Sequence, residues 1–207
     1  PADGPTGRSL LPVADRRAAG TTRPRGISIS RAARVSQGRS TATADKVHLV
    51  PFGEYLPFQE TLEALGLQQL TRVRGGFSAA TDRKPMEISG LPPVLPLICY
   101  EAIFPAEIVS VSNSYELHRQ GLLLNVSNDA WFGDTPGQFQ HFEQARMRAI
   151  EVGLPLVRAT NNGISAIVDP LGRVIGRLPL GARGVRVGAL LQALPRTVYA
   201  NIRNLSF

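Results

Sequence analysis

At 207 residues the chain can form one domain of ordinary size with its own core. A composition of 43% hydrophobic and 19% charged residues excludes disorder throughout. The single cysteine, Cys99, excludes an internal disulfide. No run reaches the roughly 18 apolar residues of a membrane helix, and the first residues lack the apolar core of a signal peptide, so the chain as given is expected to be soluble. The net charge of +7 is unevenly spread: residues 1–45 hold eight arginines against three aspartates, leaving only +2 for the rest. Composition therefore gives no basic patch on the folded part, and no nucleic-acid partner is expected for it.

Residues 1–44 are rich in Arg, Ala, Ser, Thr, Gly and Pro and show no sustained helical or strand period. They are expected to be a mostly disordered, basic tail, leaving an acidic partner open as an alternative. Order is expected from Lys46, where Lys46 to Val50 alternates like a short strand with Lys46, His48 and Val50 on one face. Pro51 to Pro57 then reads as a loop carrying Glu54 and two aromatic residues. Residues 58–70 read as a short helix, Gly75-Gly76 as a turn, and Met86 to Ile88 as a strand.

The chemistry centres on Leu97-Ile98-Cys99-Tyr100-Glu101, where an apolar run from Val94 meets a helix-like stretch containing Pro105. A strand turning sharply into a helix lifts the turn residue above the sheet and leaves the first NH groups of the turn unpaired, which suits a nucleophile. A thiol needs a cation or a helix N-terminus to be thiolate at neutral pH. The plain alternative is a small buried apolar residue. There are only two lysines, Lys46 and Lys84, against 21 arginines, so a lysine can be present for its chemistry.

Further along, Gly121 to Val126 is a continuous apolar run, as in a strand covered on both faces, and it ends in Ser127-Asn128. A loop with the only tryptophan, Trp131, follows, and then a helix over 138–152 with Phe142, Ala145, Ala149 and Val152 on one side. Arg146 falls beside that stripe and needs a carboxylate or carbonyl partner. Leu154–Ala159 and Ile164–Asp169 read as strands joined by Thr160-Asn161-Asn162-Gly163, and Val174–Leu178 and Gly184–Leu190 as two more. The residues from Pro195 onward show no clear period. Strands alternating with helices, then hairpins, predict a layered α/β sandwich.

Four blocks closely resemble the nitrilase-like domain of the bacterial apolipoprotein N-acyltransferase family: Lys46-Val47-His48-Leu49-Val50-Pro51-Phe52-Gly53-Glu54-Tyr55; Ile98-Cys99-Tyr100-Glu101; Ser127-Asn128-Asp129-Ala130-Trp131-Phe132-Gly133; and Gln140-His141-Phe142 through Arg146-Met147-Arg148-Ala149 with Thr160-Asn161-Asn162-Gly163. The resemblance runs from residue 45 to about 200. It implies an α-β-β-α sandwich, here incomplete on its N-terminal side, with residues 201–207 as a tail. It also implies a two-step reaction: Cys99 takes an acyl chain from a phospholipid as a thioester, and the amine of a diacylglyceryl-cysteine apolipoprotein attacks it. Lys46 would favour the thiolate and stabilise the oxyanion, with the Tyr100 backbone NH as a second donor. Glu54 would help close the site, and Glu101 would hold Lys46 or Arg146. Trp131 and Phe132, with Asn128 nearby, would receive acyl chains. The plain readings are ion-pair carboxylates for Glu54 and Glu101 and a core aromatic for Trp131. No cofactor is implied, and His48, His118 and His141 are too scattered for a metal site and are read as structural.

The sequence departs from the family in ways that bear on activity. The family's general base is a glutamate upstream of the lysine, and no glutamate precedes Glu54 here. The membrane helices of the full-length family, which place its catalytic domain on the periplasmic side of the inner membrane, have no counterpart. The chain is therefore expected to be a fragment whose first 44 residues are unrelated to the family, from a shifted reading frame or a mispredicted start. Little turnover is expected, because unassisted proton removal typically costs about 10² to 10⁴ in rate, and an exposed sheet edge would favour aggregation. Two other readings remain: a soluble amidase of the same superfamily, and a non-catalytic product or basic-tail interaction module.

Overall fold

A computed structural model of the chain describes residues 31–36, 39–66, 77–105, 107–109 and 121–202. The Gly75-Gly76 turn, the end of the 58–70 helix, His118 and residues 203–207 lie outside these residues.

The centre is a five-stranded sheet in sequential order: β3 (Val94–Ile98), β4 (Leu122–Ser127), β5 (Leu156–Thr160), β6 (Ser165–Val168) and β7 (Val174–Leu178). The first two pairings, β3 with β4 and β4 with β5, are parallel, and the last two are antiparallel. The parallel strands are apolar on both faces because both are covered. On one face Leu95, Leu97, Leu123 and Leu156 meet Phe142, Ala145, Ala149 and Val152 of α2 (Gly137–Val152) in the main core. This is the stripe expected from the sequence. Helix α2 stops where Gly153 adopts a left-handed conformation (φ 70°) and donates its NH to Ala149 O at 2.9 Å, a conformation that costs glycine little.

On the opposite face Val94, Leu122 and Leu124 pack with Met86 and Ile88, and Ala42 and Ala44 close this second cluster. Those alanines belong to β2 (Arg39–Asp45), which pairs antiparallel with β1 (Arg31–Ser36). Here the structure corrects the sequence expectation: residues 31–36 and 39–44, read as aperiodic, form a hairpin against the sheet. Helix, sheet and hairpin supply three layers of the expected α-β-β-α sandwich.

Four further expectations change. Lys46–Val50 is not a strand, since pairing ends at Asp45 and the amides beyond it are used elsewhere. Residues 184–190 form no ladder, and Val185 and Val187 remain exposed. Residues read as without period contain a short helix, α3 (Val198–Ile202), whose Ala200 enters the main core. The 58–70 helix appears as α1 (Gln59–Ala64), and Met86 makes a single antiparallel bridge to Val94 rather than a strand. Among the described residues no helix is long and apolar enough to cross a membrane.

Candidate active site

Cys99 stands where β3 ends and a 3-10 turn (Cys99–Ile103) begins. Its φ is 53°, in the left-handed region that costs a non-glycine residue about 1 to 2 kcal/mol. Such a conformation persists only where surrounding contacts fix it. The turn is rigid because Glu101 folds back beneath it, accepting the Ile98 NH at 2.7 Å. Tyr100 leans edge-on against Phe104, ring centroids 5.6 Å apart, and leaves the half-buried thiol at the corner.

Glu101 is the joint between this elbow and the segment bearing Lys46. Its carboxylate also accepts the amides of Val47 at 2.8 Å and His48 at 3.0 Å, and Arg83 Nη2 at 2.7 Å. The expectation that Glu101 would hold Lys46 or Arg146 is corrected: its cationic partner is Arg83, and Arg146 pairs at 3.0 Å with Glu143 on the same helix. Lys46 is buried, and its ammonium donates to both oxygens of Glu54 at 2.8 and 2.7 Å. Glu54 is thus not a free loop carboxylate. It also accepts the Val50 NH at 2.9 Å, fixing the Pro51–Pro57 loop over Lys46. His48 pairs with Glu107 at 2.8 Å and stacks on Phe104.

A second set of polar groups lies under the elbow. Asn125, read in the sequence as part of an apolar strand, donates its amide to Leu97 O at 2.8 Å and to Cys99 O at 3.3 Å. His141 Nε2 reaches the same Cys99 carbonyl at 3.2 Å. Behind them Asp129 accepts Ser127 Oγ at 2.6 Å and Arg158 Nη2 at 2.6 Å, and lies 3.0 Å from His141 Nδ1. Burial alone would raise the Asp129 carboxyl, but the bond to His141 and the charge of Arg158 hold it below the ordinary aspartate range. Burial lowers the Arg158 guanidinium, with the charge of Asp129 and the bond to it acting against that shift. Gly163 leaves room for the carboxylate, since a Cβ there would collide with Asp129 Oδ2.

The acyl-binding candidates sit in the next turn, Asp129–Phe132, which Asn128 caps by accepting the Ala130 NH at 3.2 Å. Asn128 therefore has a structural partner already. Trp131 is 60% exposed and not a core residue, while Phe132 is half-buried against the His141 ring, centroids 5.4 Å apart. The structure thus joins Lys46 to Glu54, Glu101 to the Lys46 segment, and Phe132 through His141 to Cys99. Arg83, Asn125, Asp129, His141 and Arg158 were not singled out for the site. A usable signal was Arg158 within an otherwise apolar strand, which demands a buried acid. Among the described residues no group of three or more His, Cys, Asp or Glu side chains is arranged to hold a metal.

A sharp strand-to-turn elbow bearing the chain's one cysteine, on a mixed sheet backed by a helix, defines an α/β protein with a candidate thiol site. The chain belongs to the carbon-nitrogen hydrolase family, whose model matches residues 16–198. That match begins well before Asp45 and includes the hairpin. Among curated proteins the chain is 51% identical over 184 residues to an apolipoprotein N-acyltransferase of Bradyrhizobium diazoefficiens, covering 86% of this chain and 33% of that protein. It is 56% identical over 149 residues to one from Brucella melitensis, covering 72% and 27%. The chain therefore spans about a third of the length of the curated relatives it matches. Among solved structures it shares the fold of a carbon-nitrogen hydrolase from Helicobacter pylori (TM-score 0.56, 15% identity, 76% of this chain and 55% of that one). It also shares the fold of a mutant amidase from Nesterenkonia sp. AN1 (TM-score 0.53, 19% identity, 86% and 60%), which shows Michael addition of acrylamide at its active-site cysteine.

Proposed function

We propose that the chain carries the thiol chemistry of an apolipoprotein N-acyltransferase. Cys99 Sγ attacks the ester carbonyl of a phospholipid; the lysophospholipid leaves as an alcohol, taking a proton, and an acyl thioester remains. The free amine of a diacylglyceryl-cysteine apolipoprotein then attacks the thioester, an amide forms, and the thiol is released. Lys46, its charge held by Glu54, serves as the cation beside the developing oxyanion, with the Tyr100 NH as second donor. Trp131 and Phe132 offer apolar surface to the acyl chain, and Asn128 fixes the turn that carries them. The reaction takes place at a membrane surface, which for a full-length protein is the periplasmic face of the inner membrane.

The observation that carries this reading is the left-handed Cys99 elbow, tied through Glu101 to the segment bearing Lys46. The names of the relatives favour acyl transfer over amide hydrolysis. Transfer is best read with stoichiometric protein, so that a single acylation event is visible. In the test, the chain is mixed with phospholipid vesicles and a diacylglyceryl-cysteine peptide, and separately with small amides. An N-acylated peptide that is absent with Cys99→Ala supports the proposal. Ammonia from the amides without acylated peptide makes the protein an amidase, and neither product removes an enzymatic role.

A further inference from the structure

We propose that His141 and Asn125 clamp the backbone of the nucleophile, and that the buried Asp129–Arg158 pair is the anchor that holds the clamp in register. The inference rests on the reading of Cys99 as the reactive thiol. These four side chains would be positioning residues: they reach the carbonyl of Cys99 or one another, not the reacting atoms.

Cys99 must hold a left-handed conformation for its side chain to stand at the corner, and nothing in a cysteine favours that conformation. Its carbonyl oxygen receives two side-chain donors, Asn125 Nδ2 at 3.3 Å and His141 Nε2 at 3.2 Å. A carbonyl can only accept, so Nε2 of His141 carries a proton. Arg158 can only donate, and its Nη1 bonds Asn125 Oδ1, which aims the Asn125 amide NH₂ at the Leu97 and Cys99 carbonyls. Arg158 Nη2 donates to Asp129 Oδ2, and Nδ1 of His141 rests between Asp129 Oδ1 at 3.0 Å and Arg158 Nη2 at 3.2 Å. One buried ion pair thus fixes the orientation of both clamp residues.

A fully buried pair is poor value as a stabiliser, because desolvation offsets most of its attraction; registering a conformation is a better-attested use. The packing is built around this one. Gly163 supplies the space for Asp129, and Ser127 completes the carboxylate's bonds.

The chain has one cysteine, so iodoacetamide reads Cys99 alone. The test compares second-order alkylation rates of the full chain as wild type, His141→Leu, Arg158→Met and His141→Gln, with thermal melts confirming that each is folded. His141→Leu and Arg158→Met are expected to slow alkylation about tenfold, the consequence of losing one bond that opposes backbone relaxation. His141→Gln retains an NH that reaches the Cys99 carbonyl and is expected to recover to within about threefold of wild type. A purely packing role gives the opposite sign, since loosening around a half-buried thiol exposes it and speeds alkylation. Unchanged or faster alkylation in folded His141→Leu, or His141→Gln as slow as His141→Leu, overturns the proposal. Should the leucine variant not fold, His141→Asn, one methylene too short to reach, takes its place in the comparison with His141→Gln. Alkylation needs no lipid, so failure of the clamp appears here, and failure of the acyl-transfer reading appears only in the lipid assay.

Discussion

Replacing Glu101 by glutamine tests the joint between the two halves of the site. The carboxylate is buried and every group around it is a donor: the amides of Val47, His48 and Ile98, and Arg83 Nη2, all within 3.0 Å. Glutamine offers one oxygen where two accept, and its NH₂ must face at least one of these donors. The change also removes the nearer anion of the buried Arg83 guanidinium, leaving only Glu107 at 3.4 Å. Breaking a buried ion pair from one side costs roughly 3 to 5 kcal/mol, a large part of the about 5 to 15 kcal/mol that holds a domain folded. The assay is equilibrium urea unfolding of wild type and Glu101→Gln, with the dependence on denaturant unchanged so that the midpoint shift reports stability. A loss below about 1 kcal/mol at constant slope would refute the assignment of Glu101 as the joint.

Other expectations follow from the same contacts. Gly163→Ala places a Cβ against a carboxylate pinned by Arg158, Ser127 and His141, and is expected to cost about 1 to 3 kcal/mol in urea unfolding. Because the folded-state value of Asp129 is depressed, its contribution to stability is fully present above the ordinary aspartate value of about 4 and is lost as pH falls through the lower folded value. Thermal melts between about pH 6 and about pH 3 should therefore show a steeper acid loss for wild type than for Asp129→Asn. Trp131→Ala, at an exposed position, should leave stability within about 0.5 kcal/mol while reducing acyl transfer from phospholipid.

The sequence made the sheet's interior and the α2 stripe readable because Leu122 to Val126 and the Phe142-Ala145-Ala149-Val152 spacing carry strong apolar signals. Strand β2 escaped because its inward residues, Ala42 and Ala44, are small and its neighbours are arginine, serine and threonine. Two alanines make little hydrophobic contrast, and β2 forms because β1 pairs with it and the sheet beneath is apolar. Lys46–Val50 failed as a strand for the converse reason: the alternation was present, but Glu101 takes the amides that a ladder would use. In the site, Cys99, Lys46, Glu54 and Glu101 were legible as residue types in a pattern. Their pairing was not, because Arg83 for Glu101 and Glu54 for Lys46 are choices made by tertiary approach. His141, expected to be structural, lies with Nε2 3.2 Å from the Cys99 carbonyl oxygen, a contact that residue type and spacing do not reveal.

The most direct measurement is the intact mass of the chain after incubation with phospholipid vesicles of one acyl composition. One acyl mass on Cys99, removed by hydroxylamine, absent in Cys99→Ala and strongly reduced in Lys46→Met, is the expected result. An unmodified Cys99, or acyl groups that appear equally without Lys46, would contradict the reading of this elbow as a primed acyl-accepting thiol.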